Sequence, residues 1–196
     1  MKSLSRRLPK LLLKTQKISL ESKAVIYYKT PSGTAKIIGD EKGIQSISVL
    51  DDDFSTEPVL SEVERLEVTK TKIPTCMKEC ISQLDEYFAG TRTEFDLQLN
   101  PQGTEFQQKV WKELLNIPYN STRTYLEQSK AIGDVKAIRA VASANGKNPI
   151  WIVIPCHRVI GSSGSLTGYA YGVWRKDWLL KHEARYYKGE KQMDLF

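Results

Sequence analysis

The chain holds 196 residues, 40% hydrophobic and 27% charged, with a net charge of +6, which is room for one medium domain or two small ones with buried cores. The longest apolar runs, Leu11–Leu13 and Ile150–Ile154, fall far short of the ~20 residues that span a bilayer, so a soluble globular protein without membrane attachment is expected. Three cysteines (Cys76, Cys80, Cys156), no CxxC pair and two histidines (His157, His182) provide neither a disulfide framework nor a structural zinc site, which points to a reducing compartment and no metal.

Along the chain, charge is distributed unevenly. Residues 1–20 carry +6 with no acid, residues 21–99 carry −6, and residues 100–196 carry +6. The first 22 residues, basic and broken by Pro9, lack the apolar centre of a secretory signal and read as a disordered arm outside the fold. From Ala24, three β-rich runs (AVIYYKT, TAKIIGD, IQSISVL) alternate with turns at Pro31–Gly33 and Glu41–Gly43, the pattern of a small antiparallel sheet. In Pro74–Gly90, Cys76, Cys80, Leu84 and Phe88 recur at helical spacing and Gly90 is a stop; both cysteines read as small core residues. Phe95–Leu99 reads as a further strand. Residues 23–99 thus form an α/β unit in which nothing looks catalytic.

The second half opens with Thr104 as a helix cap before EFQQKVWKELLNI, closed by Pro118. Thr124–Ile132, a turn at Gly133–Asp134, and a helix over Val135–Asn145 give two short helices around a tight glycine turn, either a helix-turn-helix or a plain helical hairpin. Arg139 on the second helix stands among Ala140, Ser143 and Ala144, small residues that let a backbone come close to another surface. The basic charge of this half favours a polyanion, nucleic acid first.

Ile150–Ile154 reads as a buried strand that ends at Pro155 and delivers Cys156, His157 and Arg158 to the rim of a core. A basic or cationic neighbour lowers a thiol towards neutrality, and His157 and Arg158 both offer that. A buried structural cysteine is the commoner case. A cysteine phosphatase needs Arg six positions on, where Ser162 stands; a Cys–His hydrolase would have to draw on distant His182.

The run IPCHRVIGSSGSLTGYAYGVWRKDWLLKHE, together with GTEFQQKVW and AIRAVASANGKNP, resembles the O6-alkylguanine-DNA alkyltransferases, across roughly residues 24–185. The resemblance implies an α/β N-terminal domain (small antiparallel sheet plus helix), residues 23–99, then a mainly α, winged-helix-like helix-turn-helix domain, residues 103–185. It implies DNA repair without a cofactor: single-turnover transfer of an alkyl group from O6-alkylguanine in double-stranded DNA to Cys156, with O4-alkylthymine an alternative substrate. His157 would take the thiol proton through a water, Glu183 would hold the imidazole, and Tyr125 would assist the leaving base. Arg139, Ala140, Ser143 and Ala144 would meet the minor groove, with Arg139 filling the place of the extruded nucleotide. Asn148 would brace the turn, while Val159, Tyr169, Ala170 and Tyr171 would form or support the pocket.

Two positions depart from the family's pattern: Tyr171 stands where many relatives have Gly, which should narrow the pocket, and Asn120 stands where Gly is common. The ending Gln192-Met193-Asp194-Leu195-Phe196, after a flexible tail from residue 186, resembles peptides that bind the bacterial sliding clamp. A monomer is expected, in the cytoplasm of a bacterium, or in the nucleus or an organelle of a eukaryote.

Overall fold

The computed structural model describes residues 23–50 and 73–188. The basic arm and the clamp-like ending lie outside these residues.

Strands β1 (Ala24–Thr30), β2 (Gly33–Asp40) and β3 (Gly43–Leu50) form an antiparallel meander in the order β1-β2-β3. Alternation puts Ile26, Tyr28, Ala35, Ile37, Ile47 and Val49 on one buried face. Helix α1 (Thr75–Phe88) covers that face with Met77, Cys80, Ile81, Leu84 and Tyr87. Cys76 and Cys80 are core residues here, and the Cys76 thiol donates to the Asp40 carbonyl at 3.3 Å. Gly90 stops the helix at φ +73, and any Cβ there would collide with the Tyr186 ring.

Phe95–Leu99 is not a strand. Only Leu99 makes a bridge, parallel, to Ile44, with Ile44 N–H donating to the Gln98 carbonyl at 2.8 Å. The neighbouring β3 edge is then shared with a second segment, Ile150, through the Ile47–Ile150 bridge.

In the mainly helical half, α2 (Glu105–Leu114) and α3 (Tyr125–Ala131) each start with a complete capping box, Thr104 with Gln107 and Thr124 with Glu127. Helix α4 (Ile138–Gly146) has no side-chain cap and begins three residues after the sequence reading put it. Two buried contacts fix it in place. The Trp111 indole donates to the Ala144 carbonyl at 2.8 Å, and the Gln128 and Asn145 amides bond each other head to head at 2.8 and 3.2 Å. Short strands β4 (Arg123–Thr124) and β5 (Val159–Ile160) pair in parallel, and α5 (Val173–Tyr186) packs against the turn at Cys156–Arg158.

Candidate active site

The apolar run Ile150–Ile154 is not a strand either. After its single bridge to β3, the backbone turns at Ile152 (φ +65), and Ile154 N–H closes back on the Ile150 carbonyl at 3.1 Å. A short apolar run has no period that tells a buried strand from a buried turn. The turn still does what the strand was expected to do: it leads from the sheet to Pro155 and a 3-10 turn, Cys156–Arg158.

Asn148 holds this geometry. Its Nδ2 donates to the Ile154 carbonyl at 2.7 Å and reaches Cys156 Sγ at 3.2 Å, while its Oδ1 accepts from Ile150 N–H at 3.0 Å. Cys156, 7% exposed, looks into a cavity of about 450 Å³. Ile138, Arg139, Ala142 and Asn145 of α4 form one wall; Tyr125 and the Thr167–Ala170 loop form the other. The Tyr125 hydroxyl is 3.5 Å from the Thr167 carbonyl. Tyr169 lies beside the thiol without closing a hydrogen bond of normal geometry.

Burial pushes the Cys156 thiol up from its ordinary value, against the Asn148 amide, the Lys176 ammonium and the Tyr169 phenol, which all favour the thiolate. The expected lowering towards neutrality is therefore corrected: desolvation outweighs the groups that favour the thiolate. Arg158 takes no part at the sulfur, because its guanidinium is committed elsewhere.

That commitment is Glu183. Arg158 donates from Nη2 to Oε1 at 2.9 Å and from Nε to Oε2 at 3.0 Å, and from Nη1 to the Ile117 carbonyl at 2.6 Å. His157 Nε2 meets Oε1 at 2.8 Å. Asn120, in the left-handed region at φ +55, aims its N–H at Oε2 at 2.9 Å, and the Tyr87 hydroxyl donates to Oε1 at 3.1 Å. Burial alone would raise the Glu183 carboxyl, but the His157 and Arg158 contacts outweigh it and hold the group at about 2. Burial lowers His157, against the pull of Glu183. The ring is thus neutral at physiological pH, and its Nε2–H faces the carboxylate. His157 Nδ1, also buried, has no hydrogen-bond partner among the described residues.

Of the residues named from sequence, Cys156, His157, Glu183, Tyr125, Asn148, Tyr169 and Ala170 come together here. Arg139, Ala140 and Ser143 are exposed on α4, with Arg139 on the cavity wall. Ala144 is a correction: it is 3% exposed and its carbonyl holds Trp111, because a helix has one outer face and position 144 falls on the inner one. Tyr171 is a second: its ring is absent from the cavity wall and packs edge-on against Tyr169 (5.9 Å) and Trp151 (6.2 Å) behind it. Val159 is fully buried in β5, paired with Arg123. His182 bonds the Tyr87 carbonyl at 2.9 Å and stacks on Trp178, so it serves no hydrolase triad at Cys156.

Sequence reasoning missed Lys176, buried with Nζ 3.3 Å from the Thr167 carbonyl, as well as Asn145, Tyr87 and Asn120. A lysine inside the quoted motif, near a helix start, was a signal for the first. The others needed the fold.

A family described as "6-O-methylguanine DNA methyltransferase, DNA binding domain" matches residues 105–185, and one described as "6-O-methylguanine DNA methyltransferase, ribonuclease-like domain" matches residues 24–101. A methylated-DNA–protein-cysteine methyltransferase of Methanosarcina acetivorans is 46% identical over 156 residues, 80% of this chain and 95% of the relative. The crystal structure of the Mycobacterium tuberculosis O6-methylguanine methyltransferase superposes with a TM-score of 0.68 at 41% identity, covering 85% of this chain and 97% of that one. A Mycobacterium tuberculosis OGT in complex with DNA gives the same TM-score at 41% identity, covering 83% and 94%.

Proposed function

The chain belongs to the 6-O-methylguanine DNA methyltransferase family, and from that membership we propose that it repairs DNA by moving the alkyl group of O6-alkylguanine onto Cys156, once and irreversibly. The observation that carries the reading is a thiol facing a nucleotide-sized cavity and held by Asn148, one residue before an imidazole whose far nitrogen is bound by a carboxylate.

Helix α4 enters the minor groove, where small residues allow its backbone close to the duplex. O6 cannot be reached inside the stack, so the damaged nucleotide rotates into the cavity and Arg139 fills the place it leaves. Glu183 and Arg158 neutralise each other, which leaves His157 uncharged with its Nδ1 lone pair free to accept a proton. The thiol proton passes through a water to Nδ1, and Sγ attacks the alkyl carbon. The S–C bond forms as the C–O6 bond breaks, and that electron pair stays on the guanine. Tyr125 donates a hydrogen bond to the leaving base, which recovers a proton from the imidazolium. Burial disfavours both thiolate and imidazolium, so the proton leaves the thiol as Sγ attacks rather than beforehand. The thioether has no route back.

Intact-protein mass spectrometry after incubation with duplex DNA containing O6-methylguanine tests this directly. A stoichiometric gain of one methylene, mapped to Cys156 and absent with undamaged DNA, is the expected outcome. A DNA-binding protein that gains nothing would instead be a lesion-sensing module.

Two finer points belong to the same reading. The ending Gln192–Phe196 engages a bacterial sliding clamp, its Leu195 and Phe196 entering an apolar pocket; removing five residues should abolish clamp binding and spare alkyl transfer, and loss of both would make the tail structural. The protein acts as a monomer, and in the cytoplasm, in keeping with three free thiols.

A further inference from the structure

Three segments of the chain converge on the Glu183 carboxylate. Besides His157 and Arg158 from the catalytic turn and Asn120 from the turn before β4, the Tyr87 hydroxyl arrives from α1, ninety-six residues away in sequence. It lands on Oε1, the same oxygen that holds His157 Nε2. A carboxylate only accepts, so the phenol is the donor.

We propose that Tyr87 is a positioning residue for alkyl transfer: by sharing Glu183 Oε1 with the His157 imidazole, it limits how tightly the carboxylate holds a proton on that ring. This rests on His157 being the base. Every donor on an oxygen draws off part of the charge that would otherwise stabilise the imidazolium. Without Tyr87, Glu183 would hold a proton on His157 more firmly. The Cys156–His157 pair would then lose its first proton only at higher pH.

Tyr87 is built to do this steadily. It is fully buried, its carbonyl accepts from His182 Nε2, and its ring packs against Phe95 at 5.5 Å and His182 at 5.1 Å. Burial pushes its own hydroxyl well above the ordinary tyrosine value, so it stays a donor at any working pH. The other charged and titratable groups around the cluster are Arg158 on the turn, Lys176, His182 and Tyr186 on α5, and Tyr119 beside Arg158. Arg158 and Lys176 oppose a proton on His157 whether Tyr87 is present or absent. Tyr119 is the matched control: a buried phenol 6.1 Å from the Tyr87 ring whose hydroxyl has no hydrogen-bond partner among the described residues.

The test is Tyr87→Phe, read in two ways. Single-turnover methyl transfer is measured against pH, and the His157 ring is titrated by nitrogen NMR, where two histidines make assignment simple. The acid limb and the His157 titration should both move up by roughly half a unit or more, with the plateau rate changed by less than about threefold. Tyr119→Phe should move neither. Incorporating 3-fluorotyrosine at position 87 keeps ring and hydroxyl, strengthens the donor, and should move both downwards; it also serves if Tyr87→Phe folds poorly. Coincident limbs and titrations in all variants, with a wild type that methylates Cys156, would overturn the role of Tyr87 and leave the function intact. A wild type that never methylates Cys156 would overturn the function, and the NMR titration would still decide whether Tyr87 tunes His157.

Discussion

The two sides of the Cys156–Arg158 turn are built on opposite principles. On the Glu183 side the carboxylate has a donor on each oxygen from separate parts of the chain, and its negative charge is cancelled by Arg158. On the cavity side stand a thiol with one weak donor, a tyrosine hydroxyl at 3.5 Å from its acceptor, and the small residues Ala142, Gly146, Gly168 and Ala170. The satisfied side is rigid and sets protonation states. The unsatisfied side is left for a substrate to complete. Substitutions on the two sides should therefore break different properties.

The largest effect is expected on the satisfied side. Glu183→Gln removes the charge that balances buried Arg158, and leaving one partner of such a pair uncompensated typically costs about 3–5 kcal/mol. Denaturant unfolding should show a loss of that size. Alkyl transfer should slow by on the order of 10²-fold, the scale of positioned general-base catalysis. The same cluster sets the acid limit of the fold. Glu183 is held below its ordinary 4.5, at about 2, so its contribution is full above 4.5 and is lost as pH falls towards 2, on the order of 3 kcal/mol in all. His157 is lowered from 6.5, so the unfolded chain takes up its proton first and stability already declines below that value. Glu183→Gln should flatten the lower part of this pH dependence; a variant that unfolds in acid as wild type does would mean that the ionic cluster does not govern it.

The contrast also explains what could be read without a structure. The Thr104 cap, the Gly90 stop and the Pro-Cys-His-Arg core are local signals, and each stands where the sequence put it. Ile150–Ile154 carries no period, so its turn at Ile152 was invisible. Ala144 was placed outward because small residues look alike on either face of a helix. Tyr87 and Asn120 enter the site only because α1 and the turn at residue 120 are folded against α5. No spacing along the chain encodes that. The satisfied side, assembled from distant residues, was the less legible one.

On the cavity side Arg139→Ala should leave stability within about 0.5 kcal/mol, as for other exposed positions. It should slow transfer from duplex O6-methylguanine by about tenfold or more, because holding a base out of the stack costs a few kcal/mol. Free O6-benzylguanine needs no extrusion and should react at nearly the wild-type rate. Equal losses on both substrates would mean that Arg139 shapes the cavity and does not hold the duplex open.

The smallest effect, Tyr171→Gly, falls between the two sides. Tyr171 does not touch the cavity, so it cannot exclude a bulky group by its own volume. It braces Tyr169 edge-on from behind, with Trp151 as its other support. Deleting the ring leaves Tyr169 free to withdraw, and the cavity then widens on demand rather than permanently. Methyl transfer, which already fits, should change by less than about threefold. Benzyl transfer should gain several-fold, and stability should fall by about 3 kcal/mol or less, since the half-buried ring leaves a gap that Tyr169 can enter. Tyr171→Phe keeps the brace and should match wild type for both groups. If the wild type takes O6-benzylguanine as fast as Tyr171→Gly, the wall at Tyr169 is already mobile, and the division into a rigid side and an adaptable one would run through Tyr169 itself.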